Sequence, residues 1–161
     1  MEYIEPLCIE KSGKSVEPSI AELYDYFREI NEVDEDDSLN DEYIYFNLQD
    51  NNEILNSPIS QTEIENVILK LNNEKASGLD NVTNEYIKYT MHIMIPLYVK
   101  LFNFIFDKGI IPEIWSVGLI NPIFKNKGNP KDPKNYRAIA LMSCLGKVFT
   151  GILNNRLSLF A

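Results

Sequence analysis

The sequence is poor in the residues from which disulfides, zinc sites and nucleophilic centres are built. It has two cysteines, Cys8 and Cys144, which lie far apart and have no second Cys or His at ligand spacing. Its one histidine, His92, has no partner acid or nucleophile pattern nearby. We therefore predict free thiols, no metal site and no histidine-based catalytic centre.

Long apolar runs are missing as well. No segment approaches the roughly 18 consecutive apolar residues of a membrane span, and residues 1–5 carry acids where a secretory leader carries bases. We expect an intracellular protein, cytoplasmic or nuclear, without a membrane partner. The 161 residues, 45% of them hydrophobic, suffice for one compact domain.

The net charge of −9 hides an asymmetry along the chain. Residues 1–56 hold 16 acids and 3 bases, a net charge of −13, whereas residues 57–161 hold 8 acids and 12 bases, a net charge of +4. Asymmetry of this kind indicates a basic working part that carries an acidic extension. Function is therefore sought in residues 57–161.

We predict that residues 1–56 form an acidic N-terminal extension with one amphipathic helix and a linker. The helix, over about residues 19–31, begins with a capping box in which Ser19 is the N-cap and Glu22 its partner. Apolar residues then recur at three- and four-residue steps. The acidic run 32–37 repels itself, which favours an open linker.

Residues 57–161 are predicted to be mostly helical. Ser60 and Glu63 form a second capping box ahead of an apolar stripe. The other predicted helices begin near Thr83, at Pro96 and at Leu145. Four aromatic residues follow helical or turn spacing and are expected in the core rather than as base-stacking platforms: Phe102, Phe104, Phe106 and Trp115.

Two short runs of strand character, 117–124 and 136–141, are joined by a basic, turn-rich segment. The simplest arrangement is an antiparallel hairpin with a long basic loop. Pro122 cannot donate a ladder hydrogen bond, which places its strand at an edge or a bulge. The predicted fold class is α+β, mostly helical, with one antiparallel β-hairpin.

Three groups of residues stand out in order along this part of the chain. They are residues 73–80 (Asn-Glu-Lys-Ala-Ser-Gly-Leu-Asp) with Glu85 and Lys88; residues 109–115 (Gly-Ile-Ile-Pro-Glu-Ile-Trp); and residues 120–125, 132–141, 146–147 and 155–157. Together they resemble the start of the reverse transcriptases of non-LTR (LINE-like) retrotransposons. Each group alone is a weak signal, but their order and spacing make the set specific.

The resemblance implies a right-hand polymerase, of which residues 57–161 would be a partial domain with the fingers and the palm entry. In such enzymes two magnesium ions, held by palm aspartates, transfer a deoxynucleotide to a primer on an RNA or DNA template. Those aspartates belong to a palm strand and to an aromatic-Ala-Asp-Asp turn. Here no Asp-Asp follows Asp36-Asp37 and no Asp follows Asp132. We therefore predict no catalytic residue, no metal ligand and no DNA synthesis by this chain alone.

The resemblance also implies two nucleotide-binding residues. Lys125 and Arg137 match the family's positions that hold the triphosphate of the incoming deoxynucleotide. An even cross-strand register would put both side chains on one face, opposite or diagonal and about 5–8 Å apart at Cβ. The family often has Pro where this chain has Ala138, which leaves the strand less rigid. Without the resemblance, these bases would be interpreted as a solvated hairpin tip.

The loop that holds Lys75 and Gly78 resembles a segment that lies against the template strand in these enzymes. Gly78 would let the backbone approach a phosphate closely, and Lys75 could neutralise one. The loop is also a good connector between two helices, in which Asp80 would form a turn or a cap.

Two further hypotheses stay open at this point. The chain could be a remnant that binds a protein partner, such as a missing palm segment, through the helix at 19–30 and an exposed apolar face near 148–157. Nucleic-acid binding would weaken steeply with salt, whereas apolar binding would hardly change. The chain could also be a broken reading frame without a stable fold.

Overall fold

The computed structural model describes residues 17–32 and 53–160. The helices are α1 Ile20–Asn31, α2 Glu53–Asn56, α3 Gln61–Lys70, α4 Asn84–Lys108, α5 Glu113–Ser116 and α6 Cys144–Phe160. Strands β1 Leu119–Phe124 and β2 Tyr136–Leu141 form a two-stranded sheet, with a 3-10 turn at Pro133–Asn135. The predicted α+β class with one hairpin is confirmed for these residues. Most of the predicted linker, 33–37, lies outside them.

The chain divides into two compact units. The hairpin unit holds α1 and residues 122–138, and the helical unit holds α2 to α5 and residues 139–161. The boundary expected at residue 56 rests on charge and on the resemblance, and it stays a prediction.

Both predicted capping boxes are present. The Ser19 hydroxyl accepts the backbone N–H of Glu22 at the start of α1, and Glu22 in turn accepts the backbone N–H of Ser19. Ser60 and Glu63 form the same reciprocal pair at the start of α3. Such pairs need only residues three apart, which is why the sequence located both helix starts.

The core of the helical unit is formed where α3, α4 and α6 pack together. Its fully buried side chains include Ile64, Ile68, Ile87, Phe102, Val148 and Ile152. The expectation that the face of α6 near 148–157 is exposed is therefore wrong for most of that face, although Leu157 is 57% exposed. The apolar stripe of α6 packs on α3 and α4, which a reading of one helix cannot show.

The prediction that a new helix begins at Pro96 is also wrong, because α4 continues through it. Proline inside a helix frees the carbonyl four residues earlier, here that of His92. Both Pro96 and His92 are exposed, so water can bond that carbonyl. At 25 residues, α4 is by length and mean hydropathy apolar enough to cross a membrane, although it contains no run of about 18 consecutive apolar residues. One face of α4 lies in the core of the helical unit.

The aromatic residues are divided between core and surface. Trp115 lies edge-on to Phe102, with ring centroids 6.2 Å apart, and tilted against Phe149 at 6.0 Å. The core prediction holds for these rings, but Phe104 is 56% exposed. Helical spacing is shared by two opposite faces of an apolar helix, so spacing alone assigned Phe104 to the wrong one.

A buried arginine ties α6 to α3 and to the segment before it. Arg156 is 4% exposed, and its Nε and Nη2 donate to the two carboxylate oxygens of Glu63 at 2.7 and 3.0 Å. Its remaining donors bond three backbone carbonyls, those of Leu55, Ser57 and Pro58. All five N–H donors of the guanidinium therefore have acceptors.

The carboxylate of this pair serves two structures at once. Glu63 accepts Arg156 and also closes the capping box of α3. The hydrogen bonds from Arg156 hold the pKa of the Glu63 carboxyl at about 2, below its ordinary 4.5. The pair is thus ionised throughout the physiological range.

We expect Arg156→Ala to lower the free energy of unfolding by about 3–5 kcal/mol, because Glu63 and three carbonyls lose their donor. Arg156→Lys should recover only part of this, since an ammonium cannot bond both carboxylate oxygens and three carbonyls at once. Urea unfolding followed by the fluorescence of Trp115, the single tryptophan, measures both. The exposed Arg137→Ala serves as the control. Equal stability of the two alanine variants would contradict the assignment.

Candidate functional site

The register of the hairpin follows from two contacts. The backbone N–H of Lys125 donates to the carbonyl of Asn135 at 2.8 Å, and the rings of Phe124 and Tyr136 lie 5.4 Å apart. In an antiparallel pair such a bond joins residues that stand directly opposite. Residue 125 therefore faces 135, residue 124 faces 136 and residue 123 faces 137.

This register explains the proline in β1. Bonded and non-bonded pairs alternate along an antiparallel ladder, so Pro122 falls at a non-hydrogen-bonded position opposite Ala138. Its ring nitrogen points to the free edge, where no ladder donor is needed. The expectation of an edge strand is confirmed, because each strand of this two-stranded sheet is an edge.

The register also places the two predicted nucleotide-binding residues on one face. Lys125 lies one pair away from Ile123, which stands opposite Arg137, so Lys125 and Arg137 are diagonal neighbours. Diagonal neighbours are about 7–8 Å apart, and their Cβ atoms lie somewhat closer. Both residues are exposed, and no acid among the described residues forms an ion pair with either. The geometric condition for a shared ligand is met, while the ligand itself stays a prediction.

Lys125 makes one contact inside the loop. Its Nζ donates to the backbone carbonyl of Lys134 at 2.6 Å. A neutral carbonyl is a weaker partner for an ammonium than a charged oxygen. Lys125 can therefore exchange this bond for a phosphate oxygen.

The loop between the strands is held by its own hydrogen bonds. Asn129 and Asp132 each accept a backbone N–H two residues ahead, from Lys131 and Lys134 at 3.0 Å. These are the Asx turns expected of such residues. The other bonds run from Asn135 to the carbonyl of Asn129 and from the Tyr136 hydroxyl to that of Pro130. The basic loop is thus shaped before any ligand arrives.

The hairpin concentrates positive charge. Residues 125–137 hold five bases and one acid, a net charge of +4. In the same unit, α1 contacts the 3-10 turn before β2, and its Leu23 is buried. Tyr136 is 7% exposed, and its burial raises the pKa of its hydroxyl. The basic residues therefore project from a hairpin that packs against α1.

The loop predicted to meet the template packs on the start of α6. Gly78 is buried, and a Cβ placed on it would stand 2.6 Å from the backbone nitrogen of Ser143 and 2.7 Å from the carbonyl carbon of Met142. The structure thus gives Gly78 a packing role. Lys75 is exposed. Template contact by either residue stays a prediction.

Asp80 fixes the same loop through its side chain. Its Oδ1 accepts the backbone N–H of Val82 at 3.2 Å, and its Oδ2 accepts the hydroxyl of Ser143 at 2.6 Å. The same hydroxyl accepts the N–H of Gly146 in the first turn of α6. The alternative interpretation of Asp80 as a turn former is confirmed.

The sequence analysis did not predict the structural roles of two residues, Ser143 and Arg156. A serine just ahead of the apolar stripe of α6 was a readable signal for the N-cap Ser143. For the burial of Arg156 there was no local signal, because its partner Glu63 lies 93 residues away. Among the described residues, no group of three or more potential metal-ligating side chains occurs.

Comparison with known proteins finds several that are similar to this chain in sequence. The RNA-directed DNA polymerase from mobile element jockey of Drosophila melanogaster is 32% identical over 101 residues, 63% of this chain and 11% of that protein. The probable RNA-directed DNA polymerases from transposon BS and transposon X-element of the same species are 33% and 30% identical, again over 63% of this chain and 11% of theirs. No family model matches the chain.

The resemblance to non-LTR retrotransposon reverse transcriptases is confirmed. The matched segment is about a ninth of each of these relatives. In this chain, several residues that carry the resemblance to reverse transcriptases pack on α6 or on the segment just before it. Gly78 and Asp80 meet the segment before α6, and Gly146 lets Trp115 approach, since an added Cβ would stand 3.2 Å from the indole. At least these four residues of the resemblance therefore have a packing role in the helical unit.

We expect Gly78→Ala to destabilise the helical unit by about 1–3 kcal/mol, because backbone atoms on the facing segment cannot move aside. Thermal and urea unfolding measure the effect. Lys75→Ala, an exposed change in the same loop, should alter stability by less than about 0.5 kcal/mol. If Gly78→Ala were as stable as Lys75→Ala, the packing role would be refuted.

Proposed function

We propose that this chain is part of a retrotransposon RNA-directed DNA polymerase and that its hairpin binds the triphosphate of a deoxynucleotide. The observation that carries the proposal is the pair Lys125 and Arg137, which share one exposed face and form no ion pair with a described acid. Similarity to polymerases named for DNA synthesis supports the choice of ligand.

The two side chains would divide the phosphates between them. The guanidinium of Arg137 presents paired N–H donors that match two oxygens of one phosphate. The ammonium of Lys125 is a mobile point charge that leaves the Lys134 carbonyl for a second phosphate. A diagonal separation of about 7–8 Å suits adjacent phosphates reached by two long side chains.

The chemical step would belong to a longer parent protein. There, bound magnesium would supply activation of the primer hydroxyl on a template-primer and neutralisation of the incoming nucleotide's phosphates. The aspartates that hold such ions are not found in this sequence after Asp132. We propose that a palm segment supplies them, that Lys75 touches the template backbone, and that this chain alone makes no DNA.

We expect Lys125→Ala and Arg137→Ala each to weaken binding of deoxyadenosine triphosphate by about tenfold or more, the effect of losing one charge-assisted hydrogen bond of about 1.5–3 kcal/mol. Titration of the nitrogen-15-labelled chain, followed by amide shifts, gives the affinities. Lys100→Ala, another exposed lysine, is the control. Unchanged affinity in both hairpin variants would refute the proposed site.

In a primer-extension assay with template, magnesium and all four deoxynucleotides, we expect no product from this chain, because it lacks the aspartates for two-metal chemistry. A complete reverse transcriptase in a parallel reaction verifies the substrates. Extension that the purified chain supports and that Lys125→Ala abolishes would show that the chain is itself a polymerase.

A further inference from the structure

The face that carries Lys125 and Arg137 also carries an exposed apolar side chain. Ile123, on β1, stands directly opposite Arg137. It precedes Lys125 by two residues. It is 46% exposed. Among residues 123, 125, 135 and 137, which share this face of the hairpin unit, it is the one apolar member.

The spacing of the hairpin puts Ile123 within reach of the same ligand. Directly opposite residues have Cβ atoms about 4.5–5.5 Å apart, and alternate residues on a strand lie about 6.6 Å apart. Ile123, Lys125 and Arg137 therefore form a small triangle of one apolar and two cationic groups. A nucleoside triphosphate has the same division, with anionic phosphates at one end and an apolar sugar and base face at the other.

The direction of the ligand follows from what lies on each side of the two cations. Beyond Lys125 the chain enters the basic loop, which offers Lys127, Lys131 and Lys134. These groups favour phosphate and give the base no apolar surface. Toward the strands, the next side chain on this face of β1 is Ile123, which would lie beside the nucleoside end of the ligand.

We propose that Ile123 contacts the sugar and base of the bound nucleotide and makes the hairpin prefer a nucleoside triphosphate to a bare triphosphate. The inference rests on the proposed function, because it needs phosphates held by Lys125 and Arg137. Burying the exposed part of Ile123 under the ligand adds affinity that inorganic triphosphate cannot obtain.

The test compares two ligands, deoxyadenosine triphosphate and inorganic triphosphate, at equal magnesium, by amide shifts of the labelled chain. Ile123→Ala should weaken deoxyadenosine triphosphate binding about fivefold, as expected for roughly one to two lost buried methylenes. Its affinity for inorganic triphosphate should stay within about twofold. Ile123→Leu, which keeps the apolar surface, should bind both ligands as the parent chain does.

Ile120→Ala is the matched control. Ile120 is 48% exposed on the same strand, but three residues from Ile123, and side chains alternate between faces. It should leave both affinities unchanged. If Ile123→Ala spares the nucleotide, or weakens both ligands equally, the inference fails while the proposed function stands. If Lys125→Ala and Arg137→Ala spare both ligands, the proposed function fails and takes the inference with it.

Discussion

The buried guanidinium of Arg156 is the interaction on which the helical unit depends. A charge removed from water is tolerated only when its donors find acceptors, and here five donors meet two carboxylate oxygens and three carbonyls. These acceptors come from α3 and from the residues just before it. One side chain therefore fixes the end of α6, the entry to α3 and the capping box that Glu63 closes.

At the start of α6, smaller contacts hold the helix to the loop before α4 and to α5. Gly78 and Asp80 secure the loop before α4 to Ser143, and Trp115 lies over Gly146. Except for Ser143, these residues belong to the groups that resemble reverse transcriptases. Such residues are easily interpreted as ligand contacts. Here close packing explains Gly78 and Gly146, and a hydrogen bond from the helix cap explains Asp80. In this chain, part of the resemblance to reverse transcriptases therefore lies in residues that pack the helical unit.

In the hairpin, by contrast, the basic side chains are exposed. Its aromatic pair Phe124 and Tyr136 occupies one face of the ribbon, and the cations Lys125 and Arg137 occupy the other. Loop bonds made by Asn129, Asp132 and Asn135 shape the tip without using the lysine side chains at 127 and 131. Charge is thus left exposed on a preformed support, an arrangement that lowers the entropy cost of binding an anion.

The resemblance to non-LTR retrotransposon reverse transcriptases was readable from the sequence by itself. So was whatever depends on neighbours along the chain: both capping boxes, the bounds of β2 and the edge position of Pro122. Side-chain and backbone groups three or four residues apart decide such features. Only the tertiary structure decided that α4 runs through Pro96, that Gly78 is packed, and that Arg156 is buried. It also chose the diagonal register of Lys125 and Arg137 over the opposite one. The packing of the loop at Gly78 and the burial of Arg156 depend on pairings across distant segments, 63 residues for Asp80 with Ser143 and 93 for Glu63 with Arg156, which no local pattern encodes.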